Sequence, residues 1–204
     1  MFEDRQEAGE KLAKKLRKFI KGEGFVVVAL LRGGIVLGKR ISDYFNIPLL
    51  PLAIKKIGAP LNPELAIGAV AFDKTYYSDN QLIRHLSVKK AYIKNTLEIK
   101  SKEALALQKK LKNKISLEEK RVVIVDDGIA TGTTAICAAI YAKKEKAKEI
   151  ILATPVISKD VLKNIKIYFD RIVSLKIAGT LSSVSEFYKD FPQVSDEEVL
   201  HYLV

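Results

Sequence analysis

The sequence predicts an α/β fold with a doubly wound, mainly parallel sheet. Short apolar runs rich in β-branched residues alternate with segments of helical periodicity along the chain. Runs that are apolar throughout, such as the valine-rich stretch 122–125, are typical of strands buried in a parallel sheet. With 204 residues, 48% of them hydrophobic, the chain can form one sizeable core. We therefore expect a single domain over residues 1–204.

In the first half of the chain, glycines, prolines and charged residues separate the apolar segments. The amphipathic N-terminal segment predicts a helix that ends near Gly22. The elements expected here are a helix over 5–21, a strand over 25–31, a helix over 35–45, a strand over 48–54, a basic loop over 55–63 and a strand over 65–72.

In the second half, a strongly charged segment interrupts the alternation of strands and helices. Its pattern predicts a helical insert over 79–113 with a break near Ser87, and such inserts often form lids or oligomer contacts. The elements expected after it are a strand over 122–125, a helix over 133–143, a strand over 149–154, a helix over 159–165 and a strand over 171–175.

The net charge of +11 could indicate nucleic-acid binding, because a basic surface attracts phosphate polymers. The lysines, however, are scattered over predicted helices in stretches such as KKLRK and KKEKAK, where charged faces are normally solvated. Aromatic residues do not interleave with them. We therefore expect no nucleic-acid partner.

Several other classes of protein are disfavoured by the composition. No apolar run approaches the roughly 20 residues of a membrane-spanning helix, and the stretch MFEDRQEAGEKLAKKL is unlike a signal peptide. We expect a cytoplasmic protein. The lone Cys137 is expected in the core, and His85 and His201 have no Cys or His neighbours at metal-ligand spacing.

The stretch VVIVDDGIATGTTA, residues 122–135, contains the clearest candidate site. Asp126 and Asp127 come directly after a predicted strand, at the sheet edge where α/β proteins bind ligands. The small and hydroxyl-bearing residues that follow precede a helix, whose free amides favour a phosphate. Two acids would repel that phosphate unless a ribose separated them. The pattern therefore fits a ribose 5-phosphate.

Other interpretations of this loop fit less well. A Walker A loop requires a lysine after Gly132, which is absent, and the one GxG, at 22–24, precedes a strand instead of following it. A simple helix cap would explain Thr131 or Thr133 but not two consecutive acids at a ligand-binding edge.

This stretch resembles the signature of type I phosphoribosyltransferases: four hydrophobic residues, two acids and a T-G-x-[ST] loop. The resemblance implies that Asp126 and Asp127 bind the ribose hydroxyls of phosphoribosyl pyrophosphate. It also implies that the loop binds the 5-phosphate, through Ala130, Thr131, Gly132, Thr133 and Thr134.

Two further segments match the family by position. Leu31-Arg32-Gly33-Gly34 is similar to the pyrophosphate loop, which often contains a cis peptide, and would bind through Arg32, Gly33 and Gly34. A basic pair commonly stands where the next strand ends and a mobile loop begins, and here Lys55 and Lys56 occupy that place. Strand alternation would let only one of them face the site.

The resemblance implies an enzyme that transfers 5-phosphoribose from phosphoribosyl pyrophosphate to a nitrogen acceptor, a nucleobase, with release of pyrophosphate, or the reverse. The implied catalytic residues are Asp126, Asp127, Arg32 and Lys56. Mg²⁺ would be held mainly by substrate, near the two acids. A homodimer is common in the family. The alternative is a regulatory protein that senses phosphoribosyl pyrophosphate or a nucleotide without turnover.

The sequence leaves the chemical identity of the acceptor open. In 6-oxopurine enzymes an Asp commonly stands where this chain has Ala130, which makes hypoxanthine and guanine less favoured. Residues 177–191 are expected to cover the acceptor, as part of a small hood formed by the C-terminal segment 177–204 with the N-terminus. Phe187 could stack on a base there, although core packing is its commoner fate. The blocks KIGAPLNPELAIGAV and EFYKDFPQVSDEEV resemble a subgroup whose acceptor is not established.

Overall fold

A computed structural model describes residues 1–111, 114–181 and 183–203 of the chain. The helices are α1 (Arg5–Leu16), α2 (Gly34–Phe45), α3 (Asn80–His85), α4 (Lys90–Leu111), α5 (Thr133–Lys144), α6 (Lys159–Ile165) and α7 (Asp196–His201). The strands are β1 (Phe25–Leu30), β2 (Leu49–Leu52), β3 (Ile54–Ala59), β4 (Asn62–Ala71), β5 (Tyr76–Ser78), β6 (Arg121–Val125), β7 (Glu149–Ser158) and β8 (Arg171–Ala178).

Five strands form a parallel sheet in the order β2-β1-β6-β7-β8, which confirms the predicted fold class. The central strands β1 and β6 are buried on both faces because apolar clusters pack against each side of the sheet. Val125 pairs with Ala29 of β1 and with Ala153 of β7. The loops that follow these strands therefore meet at one edge of the sheet.

A second, antiparallel sheet in the order β3-β4-β5 was not expected from the sequence. Residues 55–63, which were expected to form a loop, are mostly strand, and the apolar run over 48–54 is divided between the two sheets. The physical reason is burial of the apolar side chains of β3, because Ile54, Ile57 and Ala59 are buried while Lys56 is exposed. The glycine and proline residues belong to a bulged hairpin, since a Cβ on Gly58 would overlap the backbone of Pro63.

The charged insert forms α3 and α4, as predicted, with Ser87 at a φ of +54° between them. Its apolar side packs on the antiparallel sheet, and the Tyr92 hydroxyl donates a hydrogen bond to Gly58 O over 3.0 Å. The insert thus completes a small layer above the parallel sheet. Its last expected position, Asn113, lies outside the described residues.

Helix α1 ends at Leu16, earlier than the expected end near Gly22. The Leu16 carbonyl accepts hydrogen bonds from the amides of both Phe19 and Ile20, so the chain tightens into a turn that directs these side chains into the core. The thiol of Cys137 is buried as expected. Among the described helices, none has the length and apolar character needed to cross a membrane.

The N-terminal segment pairs with the chain near residue 188. Phe2 N donates to Phe187 O over 2.7 Å, and Lys189 N donates to Phe2 O over 2.8 Å. The Tyr188 hydroxyl donates to Asp127 O over 2.6 Å. These contacts place the start of α1 and residues 187–191 beside the carboxyl edge of the parallel sheet.

Candidate functional site

A cavity of about 510 Å³ lies at the carboxyl edge of β1 and β6. Its walls come from the loop after β1, the loop after β6, strands β3 and β4 of the antiparallel sheet, and four residues of the C-terminal segment: Leu181, Ser183, Val184 and Phe191. This is the edge at which the sequence placed the acid pair, and both Asp126 and Asp127 line the cavity.

Asp126 is half-buried, and its Oδ1 accepts a hydrogen bond from the Asp127 amide over 3.0 Å. Loss of water around the carboxyl group, followed by repulsion from Asp127, raises the pKa of Asp126 well above its ordinary value. The positive charge of Lys56 opposes that rise in part. The Asp126 carboxyl thus lines the cavity in surroundings that disfavour its charged form.

Asp127 has different surroundings, since its Oδ2 forms a salt bridge with Arg5 Nε over 2.8 Å. The guanidinium of Arg5 lies 3.6 Å from the centroid of the Phe191 ring, and its Nη1 donates to Pro192 O over 2.7 Å. Sequence reasoning missed Arg5. The signal that could have found it is its position on the apolar face of α1, in line with Ala8 and Leu12.

The predicted 5-phosphate loop lies at the N-terminus of α5. Ala130, Thr131, Gly132 and Thr134 line the cavity, whereas Thr133 is 3% exposed and its Oγ1 lies 3.3 Å from Thr131 Oγ1. Gly132 is the N-cap of α5 with a φ of +78°, which a glycine adopts readily. As a glycine it offers no side-chain oxygen to the first amides of the helix, which suits binding of an external anion.

In the predicted pyrophosphate loop, the Leu31–Arg32 peptide is cis. Arg32 and Gly33 line the cavity, whereas Gly34 packs under β6, where a Cβ would come 2.6 Å from Val125 O. The Arg32 side chain is 44% exposed and turns toward the C-terminal segment: Nε lies 3.3 Å from Asp196 Oδ1 and Nη1 donates to Val194 O over 3.3 Å.

The basic pair lies within β3, whereas the sequence predicts it at the start of a loop. Lys56 lines the cavity, while Lys55 points to the other face of the strand. The alternation expected from the sequence thus selects Lys56. Glu64, across the hairpin on β4, lines the same cavity and was not predicted.

The wall expected to cover an acceptor is mainly apolar, with Leu181, Val184 and Phe191 beside Ser183. A Cβ on Gly128 would overlap Val184, so the loop after β6 is in direct contact with this wall. Phe187 packs with the core, and the Nζ of Lys176 lies 4.8 Å from its ring centroid. Phe191, and not Phe187, is therefore an aromatic side chain that lines the cavity.

Within residues 1–111, 114–181 and 183–203, no three His, Cys, Asp or Glu side chains converge as a metal site would require. The carboxylate of Asp126 does fit a shared role, because Mg²⁺ prefers oxygen ligands and commonly completes its shell with substrate phosphates and water. Asp126 is the residue through which this chain would contact such an ion.

Sequence comparisons match this chain to a known family over most of its length. The family model described as the phosphoribosyl transferase domain matches residues 2–191. A Mycobacterium tuberculosis protein (strain H37Rv) that is named as a phosphoribosyl transferase is 32% identical over 209 aligned residues, which cover 100% of this chain. The alignment covers 46% of that protein, so the chain spans about half the length of the curated relatives it matches.

Solved structures share the fold. The crystal structure of TT1426 from Thermus thermophilus superposes with a TM-score of 0.82 at 28% identity, covering 99% of this chain and 97% of that one. A purine phosphoribosyltransferase from Pyrococcus horikoshii gives a TM-score of 0.52 at 21% identity, covering 94% of this chain and 92% of that chain. The family match extends over nearly the whole chain and includes the acid pair, the loop at the N-terminus of α5 and the glycine loop after β1. The chain therefore belongs to the phosphoribosyl transferase domain family.

Proposed function

We propose that this chain is a phosphoribosyltransferase that uses the magnesium complex of phosphoribosyl pyrophosphate as its donor. It transfers 5-phosphoribose to a nitrogen acceptor, a nucleobase, and releases pyrophosphate, or it runs the reverse reaction. The observation that carries this proposal is the convergence of four features on one cavity: the acid pair, the loop at the N-terminus of α5, Arg32 and Lys56.

The geometry suggests a role for each of these groups. The 5-phosphate would bind at the N-terminus of α5, where amides and the helix dipole favour an anion. Asp126 would accept hydrogen bonds from the ribose hydroxyls, and Arg32 and Lys56 would balance the charge of the departing pyrophosphate. Mg²⁺ bound to the donor would supply further positive charge at the pyrophosphate oxygens.

The acceptor would lie against the apolar wall formed by Val184 and Phe191. A planar base suits such a surface, because an aromatic ring gains from stacking and from burial of its faces. Ala130 lines the cavity at the position where an Asp would favour a 6-oxopurine, so hypoxanthine and guanine are the less favoured bases.

Binding of the donor is tested by calorimetry with phosphoribosyl pyrophosphate and Mg²⁺. The structure supplies a matched pair of variants, because Lys56 and Lys55 are neighbours on opposite faces of β3. Lys56→Ala should weaken donor affinity by about tenfold, the loss of one charge-assisted contact. Lys55→Ala should bind the donor as the wild type does. Equal losses in both variants would contradict the proposed pyrophosphate site.

Turnover is tested separately, by incubating the protein and donor with a panel of nucleobases and following pyrophosphate release. Release with at least one base supports the transferase. Tight donor binding without release for any base would favour a sensor of phosphoribosyl pyrophosphate. Absence of donor binding would contradict both.

A further inference from the structure

The salt bridge between Arg5 and Asp127 is one of the most enclosed charge pairs of the described residues. The Arg5 side chain is 9% exposed and that of Asp127 15% exposed, and Arg5 Nε lies 2.8 Å from Asp127 Oδ2. Removing one partner of such a pair is destabilising, because it leaves the other charge buried and unpaired. The pair joins the first turn of α1 to the acid loop after β6.

Two further contacts fix the orientation of the Arg5 guanidinium, and a third holds the backbone of Asp127. Phe191 lies against it at 3.6 Å, Pro192 O accepts a hydrogen bond from Nη1, and Asp127 O is itself bound by the Tyr188 hydroxyl. The guanidinium presents its donors in a rigid plane, so these contacts leave it little freedom to turn away from Asp127. Both end segments of the domain thus hold the second acid of the pair.

The salt bridge also abuts the loop proposed to bind pyrophosphate. A Cβ placed on Gly33 would overlap the Asp127 carboxylate and would lie 3.1 Å from Arg5 Nε. Because Gly33 follows Arg32, the Arg5–Asp127 pair packs directly against the loop that carries Arg32.

The two adjacent acids therefore have different partners. Asp127 is neutralised by Arg5, while the carboxyl of Asp126 faces the cavity and accepts a hydrogen bond from the Asp127 amide. Two uncompensated carboxylates would repel each other and the phosphates of a donor. Neutralising one of them leaves one acid for the sugar.

We propose that Arg5 is a positioning residue that neutralises Asp127 and fixes it against Gly33, so that Asp126 is the acid that takes the ribose hydroxyls. This inference rests on the proposed function and deepens it. It assigns different roles to two acids that the family signature treats alike, and it gives the N-terminal helix a part in donor binding.

The test measures the affinity for phosphoribosyl pyrophosphate with Mg²⁺ in variants of the full chain. Arg5→Met should weaken donor binding by about tenfold or more, because it leaves Asp127 as an unpaired charge beside the phosphates. Arg5→Lys should recover part of that loss, since it retains the charge without the planar fork. The matched control is Arg121→Met, since Arg121 also contacts an aromatic ring, that of Phe25, but at the opposite end of β6.

A double variant separates neutralisation from general loss of structure. If Arg5 acts through the charge of Asp127, adding Asp127→Asn to Arg5→Met should restore affinity to within about threefold of Asp127→Asn alone, because contacting residues are not additive. A purely structural role predicts that the losses add. Asp126→Asn should cost more affinity than Asp127→Asn.

Wild-type affinity for Arg5→Met, additive losses in the double variant, or equal losses for the two Asp variants would each overturn the inference. Thermal melting shows which variants are folded. If Arg5→Met fails to fold, the donor affinities of Arg5→Lys and of the two single Asp variants test the inference. Failure of the wild type to bind the donor would instead overturn the proposed function, so the two failures are distinguishable.

Discussion

Asp126 and Asp127 are adjacent in sequence, yet among the residues that the structure describes only Asp127 has a cation in contact with its carboxylate. The position of Asp126 at the cavity is unfavourable for its charged form, because burial and the neighbouring acid raise its pKa well above the ordinary value. A carboxyl with a raised pKa destabilises the folded state once it is ionised. We therefore expect that Asp126 contributes to ligand binding and lowers the free energy of unfolding of the protein without ligand.

Asp126→Asn should remove a pH-dependent loss of stability. Between the ordinary pKa of 3.8 and the raised pKa of Asp126, the folded protein holds this proton more tightly than the unfolded chain does. The free energy of unfolding therefore falls as pH rises through that window. The asparagine retains an oxygen for the Asp127 amide and does not ionise. We expect Tm of the variant to exceed that of the wild type by roughly 2–4 °C at pH 8 and to match it at pH 4.

Thermal melts of both proteins across this pH range, without metal or donor, provide the measurement. Asp43→Asn, a surface variant on α2, is a suitable control because the Asp43 side chain is 53% exposed. A difference between wild type and Asp126→Asn that is the same at pH 4 and pH 8 would contradict this prediction.

The loops after β1 and β6 depend on each other through a close contact at Gly33. Since a Cβ there would overlap the Asp127 carboxylate, Gly33→Ala must move one loop or break the salt bridge with Arg5. We expect a loss of about 1–3 kcal/mol in the free energy of unfolding, as for overpacked positions. Gly179→Ala should change it by less than about 0.5 kcal/mol, because nothing lies within 4 Å of the added Cβ.

Urea denaturation of the two alanine variants measures this difference, and donor affinity should fall for Gly33→Ala alone. Wild-type stability of Gly33→Ala would show that the loop relaxes without cost. In that case the close contact with Asp127 would not explain why this position is a glycine.

Elements with a strong local pattern could be predicted from the sequence, whereas contacts between distant segments could not. Strand β6, the acid pair and helix α5 follow from an apolar run, two acids and a loop of small residues that are contiguous in the chain. Strand β3 was missed because its lysines, Gly58 and the nearby prolines resemble a loop, and its burial depends on packing against α4. Arg5 was missed because its partner lies 122 residues away.

The two sheets are connected at Ala53, the residue between β2 and β3. The side-chain amide of Gln108, on α4, bridges this crossing: Ala53 N donates to Gln108 Oε1 over 2.8 Å, and Gln108 Nε2 donates to Pro51 O over 3.1 Å. Lys56 lies three residues beyond the crossing. The long helix therefore sets where the antiparallel sheet, and with it Lys56, stands over the cavity.

Gln108→Ala should loosen this connection and weaken donor binding without touching the cavity. Ala53 is fully buried, so its amide would lose its partner at a cost of about 1–2 kcal/mol. We expect faster hydrogen exchange at Ala53 and across β3, and a several-fold loss of donor affinity that vanishes when Lys56 is already alanine. Gln81→Ala, on the exposed surface of α3, is the control and should alter neither quantity. If Gln108→Ala weakened binding equally in the wild type and in Lys56→Ala, the helix would act on the site by a route other than the position of β3.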